Sequence, residues 1–277
     1  MRINANIAAL NSARNLSNTQ MQLGKSLEKL SSGYRINRAA DDAAGLAISE
    51  GLRSEIRGSS QAQRNAQDGI SFLQTAEGGL TEVHSMLQRM RELAVQAANG
   101  TSDGSAEQLE ITQLNTEITA IGTRTTFSGI SVFANFSAAN LNFQVGANAT
   151  GGQVSIANDL RLDGAAATGI IGTNLTTGVV VTTDALAQTA ITNIDTAIKN
   201  VSTARATLGS VQNRLEHTVA NLGVAVENLT ASESRIRDTD MAAEMVTYTR
   251  NSILSQAGTA MLAQANQVPQ SILQLLR

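Results

Sequence analysis

Cysteine and tryptophan are absent from this 277-residue sequence, proline occurs once, at Pro269, and aromatic residues make up only 3%. Each absence excludes something. Without thiols there is no disulfide framework and no thiolate metal site. With so few rings, a core has to be built from Leu, Ile, Val and Ala, as in helix–helix seams with close backbone approach. A chain nearly free of proline can sustain very long helices. No apolar run approaches the roughly 20 residues needed to span a bilayer, so membrane insertion is not expected. Met1 to Leu30 lacks a charged start followed by a continuous apolar stretch, so no cleavable secretory signal is visible. The net charge is −3 with Lys and Arg dispersed, which lacks the basic stripe that nucleic-acid binding requires.

Catalytic constellations are missing as well. His84 and His217 are the only histidines, each inside a long helical pattern and neither in a His-Glu-x-x-His arrangement. There is no nucleophile elbow and no phosphate-binding glycine loop. The expectation is a non-enzyme with no catalytic residues, no metal site and no cofactor.

What is present is helical periodicity at both ends and Gly/Ser/Thr-rich sequence in the middle. Ile3, Ile7, Leu10, Leu16, Leu23, Leu27 and Leu30 are spaced mostly by threes, fours and sevens, the pattern of a helix seam. Gly33 suits the C-terminus of that helix. Asp41 or Asp42 can cap the next, whose series runs Ile48, Leu52, Ile56, Ile70, Leu73, Leu80, Val83, Leu87, Met90, Ala94, Ala97. Gly78-Gly79 weakens it by about 1 kcal/mol per glycine, and Asn99-Gly100 ends it. Ser105 with Gln108 reads as a capping box for a third helix striped by Ile111, Leu114, Ile118 and Ile121. Leu141–Val145 and Gln153–Ile156 alternate as strands do, with Gly151-Gly152 as the turn of a small β-hairpin. Gly164 to Thr183 reads as loop or short strands.

Ala187, Ile191, Ile194, Ile198 and Val201 then lead, after a turn, to Leu208, Val211, Leu215, Val219, Leu222, Val226 and Leu229. A rod of roughly 60 Å needs a partner along its length, and the helix from Asp42 to Asn99 is the obvious one. Met241, Met245, Tyr248, Leu254, Ala257, Met261, Ala265, Val268, Ile272 and Leu275 trace a last seam. Pro269 is expected to kink it or end it early. The fold class is mainly α: a long antiparallel helical bundle or coiled coil formed by the N- and C-terminal halves, with a small β-hairpin region between. Neither terminal helix has the bulk for a globular domain, and an isolated pair leaves apolar surface wet. Copies stacked head to tail into an open helical polymer would cover it, as would another partner or a monomeric bundle in which all helices share one core.

Several long motifs resemble bacterial flagellins, in order and over nearly the whole chain except roughly Asp159 to Thr183. They are Ile3-Asn4-Ala5-Asn6, Leu27 to Asn37, Ala40 to Ile48, Gln88 to Gln96, Glu227 to Asp238 and Gln264 to Gln270. The resemblance implies an inner coiled-coil domain from residues 1–40 and 235–277. It also implies an outer rod domain over 41–234, with helices 42–99, 105–125 and 184–230 and a hairpin and loop region at 127–183. With so short a central tract, a subunit without a large projecting domain is expected. At Thr126-Phe127-Ser128-Gly129 the chain departs from the family, which commonly has Asn before this Gly.

The function implied is that of a self-assembling subunit of the flagellar filament, extracellular and exported without a cleavable signal. Its implied partners are further copies of itself, the export apparatus and chaperone, the filament cap and hook-associated proteins. A hook–filament junction protein is the alternative. Arg89, Leu93 and Glu110 match family positions recognised by the vertebrate flagellin-sensing Toll-like receptor. The inner coiled-coil interface is assigned to Ile3, Ile7, Leu10, Leu23, Leu27, Leu30, Met241, Met245, Leu254, Met261, Val268, Ile272 and Leu275. Arg35, Arg38, Asp41, Asp42, Arg235, Arg237 and Asp238 are charges at the two helix junctions, placed to fix register if the halves run antiparallel.

Overall fold

The computed structural model describes residues 6–99, 104–133, 141–148, 152–156, 162 and 179–275, with the side chains of 268–275 outside that description. Helices α1 (Ile7–Ser32), α2 (Ala43–Ala97) and α3 (Ser105–Arg124) precede two antiparallel hairpins, β1 (Thr126–Phe127) with β2 (Ile130–Ser131) and β3 (Leu141–Gln144) with β4 (Gln153–Ile156). Helices α4 (Asp184–Arg237) and α5 (Met241–Leu275) complete the chain. The chain divides into two compact units, residues 57–226 and residues 1–56 with 227–277. The boundary of these units lies within α2, after residue 56, and within α4, after residue 226.

The larger unit is built on two strict heptad seams. In α2 the seam is Ser59, Ala62, Ala66, Gly69, Leu73, Ala76, Leu80, Val83, Leu87, Met90, Ala94 and Ala97, alternating threes and fours without a break, with Phe72 and Leu93 buried beside it. In α4 they are Ala187, Ala190, Ile194, Ala197, Val201, Ala204, Leu208, Val211 and Leu215. The helices run antiparallel: Arg91 pairs with Asp195 at 2.6 Å and Glu77 with Arg205 at 3.4 Å. A side chain at Gly69 would come within 3.3 Å of Leu215 Cδ1. The turn expected between Val201 and Leu208 does not exist. Ala204 occupies the missing seam position, and a reading based on large side chains passes over it.

Aromatic residues, scarce as they are, concentrate where the hairpins meet α2. Phe72 stands edge-on to Phe127 and Phe143, with ring centroids 5.8 and 6.0 Å away, and Phe133 is fully buried. The two adjacent glycines of α2 differ in role. A Cβ at Gly79 would lie 2.9 Å from Phe133 Cε2, whereas Gly78 faces open space.

The expected β3–β4 hairpin forms, with Leu141 opposite Ile156 and Gln144 opposite Gln153. Most of the Gly164–Thr183 tract lies outside the described residues, but Val179 and Val181 are buried. The capping box at Ser105 is not formed. Gly104 is the N-cap, at φ 68°, with no side-chain cap bond. Gln108 instead donates to the Val179 carbonyl at 2.9 Å and accepts from the Val181 N–H at 2.8 Å. Two strand-like backbone groups outbid one N-terminal N–H for this amide. Pro269 does not end α5, which continues to Leu275.

The short hairpin turns at Ser128 and Gly129, both with positive φ of 50° and 80°. This two-residue geometry favours Asn-Gly, because Asn tolerates the left-handed region better than Ser. Ser128→Asn is expected to raise the stability of the larger unit by about 0.5–1 kcal/mol, measured by chemical denaturation; an unchanged or lower midpoint would contradict this.

Candidate functional site in the terminal helix pair

Helix α1 starts where the Asn6 side chain accepts the Ala9 N–H and ends at Gly33, in the left-handed conformation that closes the last turn on Lys29. It packs antiparallel on α5. Asn6 Nδ2 donates to the Ala265 carbonyl at 2.7 Å, and a Cβ at Gly258 would lie 3.1 Å from Leu16 Cδ1. The inward positions of α1 are Ala9, Ser12, Leu16, Thr19, Leu23, Ser26 and Leu30, again in threes and fours. On α5 they are Glu244, Tyr248, Asn251, Ser255, Gly258, Leu262 and Ala265. This seam is lean, with serines, a threonine, an asparagine and a glycine where a stable two-helix coil would carry leucine and isoleucine.

The seam still holds Leu16, Leu23, Leu30 and Leu262 among these residues, and further large apolar side chains lie outside it. If the seam is lettered a and d, Ile7 and Met21 fall at f, Leu10 at b and Leu27 at e. On α5, Val246 and Ile253 fall at f, Leu254 and Met261 at g and Met245 at e. All are exposed, Ile7 at 64% and Val246 at 63%. The outermost position of a coiled coil in water is ordinarily polar, so these residues depart from the amphipathic pattern. Of the residues assigned to the inner interface, Leu23 and Leu30 lie half-buried in the α1–α5 seam. Ile7, Leu10, Leu27, Met245, Leu254 and Met261 face away from it, and Met241, at a seam position in the first turn of α5, is exposed as well. Ile3 and the side chains of Val268, Ile272 and Leu275 lie outside the described residues. A count of three–four spacing alone detects a stripe but does not say which of two stripes meets the intramolecular partner.

At the other end of the pair the chain crosses itself. The Arg35 N–H donates to the Arg237 carbonyl at 2.7 Å, the Thr239 N–H donates to the Gly33 carbonyl at 2.9 Å, and Tyr34 bridges Asp238. Arg237 lies 4.8 Å over the Tyr34 ring and pairs with Glu50 at 2.8 Å. Glu50 also accepts from Arg53, which reaches Glu233 at 3.8 Å. Arg38 pairs with Glu28 at 2.8 Å, Arg35 donates through its side chain to the Ile236 carbonyl, and Arg235 donates to Ser232.

The aspartates do not pair with these arginines' charges across the junction. Asp42 accepts the Gly45 N–H at 2.9 Å as the cap of α2, and Asp41 accepts the Asn37 and Arg38 N–H groups. Glu28, Glu50 and Glu233 are the acidic partners, and the sequence reading missed them. Glu50 has Arg53 three residues on along its own helix, but its pairing with Arg237, like that of Glu233 with Arg53, is made only by the fold. Gly45 is dictated by proximity: a Cβ there would sit 2.7 Å from Cδ1 of buried Ile36.

The Arg38 backbone N–H in the first place holds the Asp41 carboxyl below its usual range, and the Arg237 hydrogen bond does the same for Glu50. A carboxyl depressed by folding contributes stability above its unfolded pKa and loses it as pH falls through the folded value. The junction is therefore expected to be insensitive to pH near neutrality and to loosen on acidification through the carboxylate range. Tyr34 ring chemical shifts report on this, and in Glu50→Gln their acid change should shrink. A junction that loosened toward alkaline pH would contradict the assignment.

In the larger unit, Arg89 pairs with Glu110 at 2.8 Å and Glu92 at 3.2 Å, all three exposed. The Glu110 bond, first, keeps the Arg89 guanidinium charged, raising its pKa. Leu93 is not on that surface. At 3% exposure it belongs to the core beside Met90 and Ala94, because α3 closes over the side of α2 that the four-residue spacing had taken as free. The exposed apolar neighbours in sequence are Val95 and Leu109. His84 Nε2 lies 3.0 Å from the Gln88 amide and His217 lines an open groove beside β3 and β4. Among the described residues no cluster of three or more His, Cys, Asp or Glu could hold a metal ion, and no helix is long and apolar enough to cross a membrane.

Comparison with known proteins agrees along the chain. Residues 3–138 match the family model of the bacterial flagellin N-terminal helical region, and residues 191–276 match that of the C-terminal helical region. Flagellin of Bacillus subtilis (strain 168) is 50% identical and flagellin of Halalkalibacterium halodurans 52% identical, each alignment covering 100% of both chains. Flagellin FlaB2 of Treponema pallidum is 47% identical with the same full coverage. The crystal structure of Bacillus cereus flagellin matches at 35% identity over 57% of this chain and 88% of that one, with a TM-score of 0.46. With both helical regions matched in order and half the residues shared from end to end, the chain belongs to the bacterial flagellin family.

Proposed function

We propose that the chain is a structural subunit of an extracellular flagellar filament and polymerises through the outer positions of α1 and α5. One observation carries this reading: the helix pair closes on a seam of four leucines interspersed with small and polar side chains and leaves Ile7, Leu10, Met21, Val246, Ile253 and Met261 to water. Apolar burial contributes about 25 cal/mol per Å², so neighbouring copies that cover these positions gain what the lone subunit forgoes. The Arg237–Glu50–Arg53–Glu233 network sets the register in which the ends are offered. Export apparatus and chaperone, filament cap and hook-associated proteins are the partners the family membership suggests.

The same reading puts an innate-immune recognition surface on the exposed Arg89–Glu110 pair, with Val95 and Leu109 as its apolar neighbours rather than Leu93.

Seeding purified subunit with filament fragments tests the central claim. The full chain is expected to elongate the seeds. A chain lacking Met241 to Arg277 is expected to add nothing while keeping the circular dichroism of the larger unit's helices, whose core is its own. A truncated chain that elongates would defeat the proposal, and a full chain giving only short caps would favour a junction protein.

A further inference from the structure

We propose that the thioethers of Met21, Met241, Met245 and Met261 form a reversible oxidation site that decides whether a free subunit can assemble. The inference rests on the reading of the outer helix positions as the assembly face. Seven methionines occur in the chain, and no cysteine is present to intercept an oxidant first. Their placement is uneven. Met21, Met241, Met245 and Met261 are all exposed, and all belong to the terminal helix pair. In the larger unit Met90 is fully buried and Met86 is packed against the core. Met1 lies outside the described residues. Oxidisable sulfur is thus accessible on the face that has to become apolar contact, and shielded where it only fills a core.

The chemistry requires a hydroperoxide as oxidant. A sulfur lone pair attacks the distal peroxide oxygen, the O–O bond breaks, and an S–O bond forms. The proton passes to the departing oxygen, giving water or an alcohol, and sulfur loses two electrons. The product replaces a flexible apolar side chain by a polar one. Met21 sits at the outermost position of α1, and Met245 and Met261 flank the seam of α5. A sulfoxide oxygen at any of them would be buried without a donor when copies associate. Thiol-dependent sulfoxide reductases reverse the change, the sulfoxide oxygen leaving as water while two thiols become a disulfide. Oxidation leaves the core of the larger unit untouched, so the subunit stays folded but unable to join. Once assembled, the same sulfurs are covered.

The test treats full-length monomer with hydrogen peroxide, maps oxygen addition by peptide mass, and measures seeded elongation. The four exposed sites should oxidise before Met86 and Met90, helicity of the larger unit should persist, and elongation should fall by about tenfold or more. Methionine sulfoxide reductases acting on both epimers should restore it. In a chain with Met21, Met241, Met245 and Met261 all changed to Leu, a swap that nearly conserves volume, peroxide should no longer lower elongation relative to the same chain untreated. If that variant fails to elongate untreated, recovery of the oxidised native chain by reductase decides in favour, and lack of recovery decides against. Oxidised native chain that elongates normally, or a Leu variant still blocked by peroxide, overturns the proposal. Ile253→Asp separates the two readings. If it elongates normally the assembly face itself is misplaced; if it is blocked while oxidised chain is not, only the oxidation site is wrong.

Discussion

Ile253→Asp is expected to reduce seeded elongation by more than about a hundredfold while leaving the unfolding of the isolated subunit unchanged. The side chain is 60% exposed at an f position of α5, so in the free molecule a carboxylate there remains solvated and destabilises nothing. In the polymer the same carboxylate is desolvated without a partner, a burden of about 3–5 kcal/mol, equivalent to roughly two to nearly four orders of magnitude in association. Val246→Asp, one heptad earlier, should act alike, and the pair together should give no detectable growth. By contrast Ser255→Ala, in the intramolecular seam, changes a small inward residue and should elongate normally. Sedimentation of seeded reactions reads all of these. Equal elongation of Ile253→Asp and the native chain would mean that the outward stripe is not a contact surface.

The second large effect lies in the other unit. Phe133→Ala is expected to destabilise it by about 3–5 kcal/mol, because the ring is fully buried against α2 in a chain with few others to replace it. Its contact with Gly79 gives a sharper measurement. Alone, Gly79→Ala gains about 1 kcal/mol of helix propensity but drives a methyl to 2.9 Å from the ring, an overpacking that costs about 1–3 kcal/mol. With Phe133 already replaced, the clash vanishes and the same substitution should stabilise. Gly78→Ala, facing solvent, should stabilise in both backgrounds. A double-mutant cycle followed by denaturant unfolding tests this; a Gly79→Ala effect of the same sign in both backgrounds would show that the ring is not what demands a glycine there.

How far the sequence could be read depended on the range of the interaction involved. The ends of α1 and α2 were legible because Gly33, Asp41 and Asp42 act on backbone groups within a few residues of themselves. The β3–β4 hairpin was legible because alternation and turn residues are local too. The Ser105–Gln108 box shows the boundary of that logic: the motif is correct by spacing, yet Gln108 is claimed by the backbone of Val179 and Val181, some seventy positions on in the chain. Leu93 shows it again, since whether a helix position faces solvent depends on where α3 lies. Glu50 and Glu233 carried no signal of their pairing across the junction, because a surface carboxylate becomes a register-setting partner only when the fold brings an arginine to it.

By itself the sequence determined the class of object: long helices with a single proline, heptad spacing at both extremities, and family motifs specific enough to imply a filament subunit. Heptad spacing, however, is a property of one helix, and two stripes on one helix obey it equally well. Only the tertiary structure decided which stripe each terminal helix turns to its own partner and which it keeps for others. It did so because the packing of α1 on α5, with Leu16 set against Gly258, fixes the inward stripe and leaves Ile7, Met21, Val246 and Ile253 pointing outward.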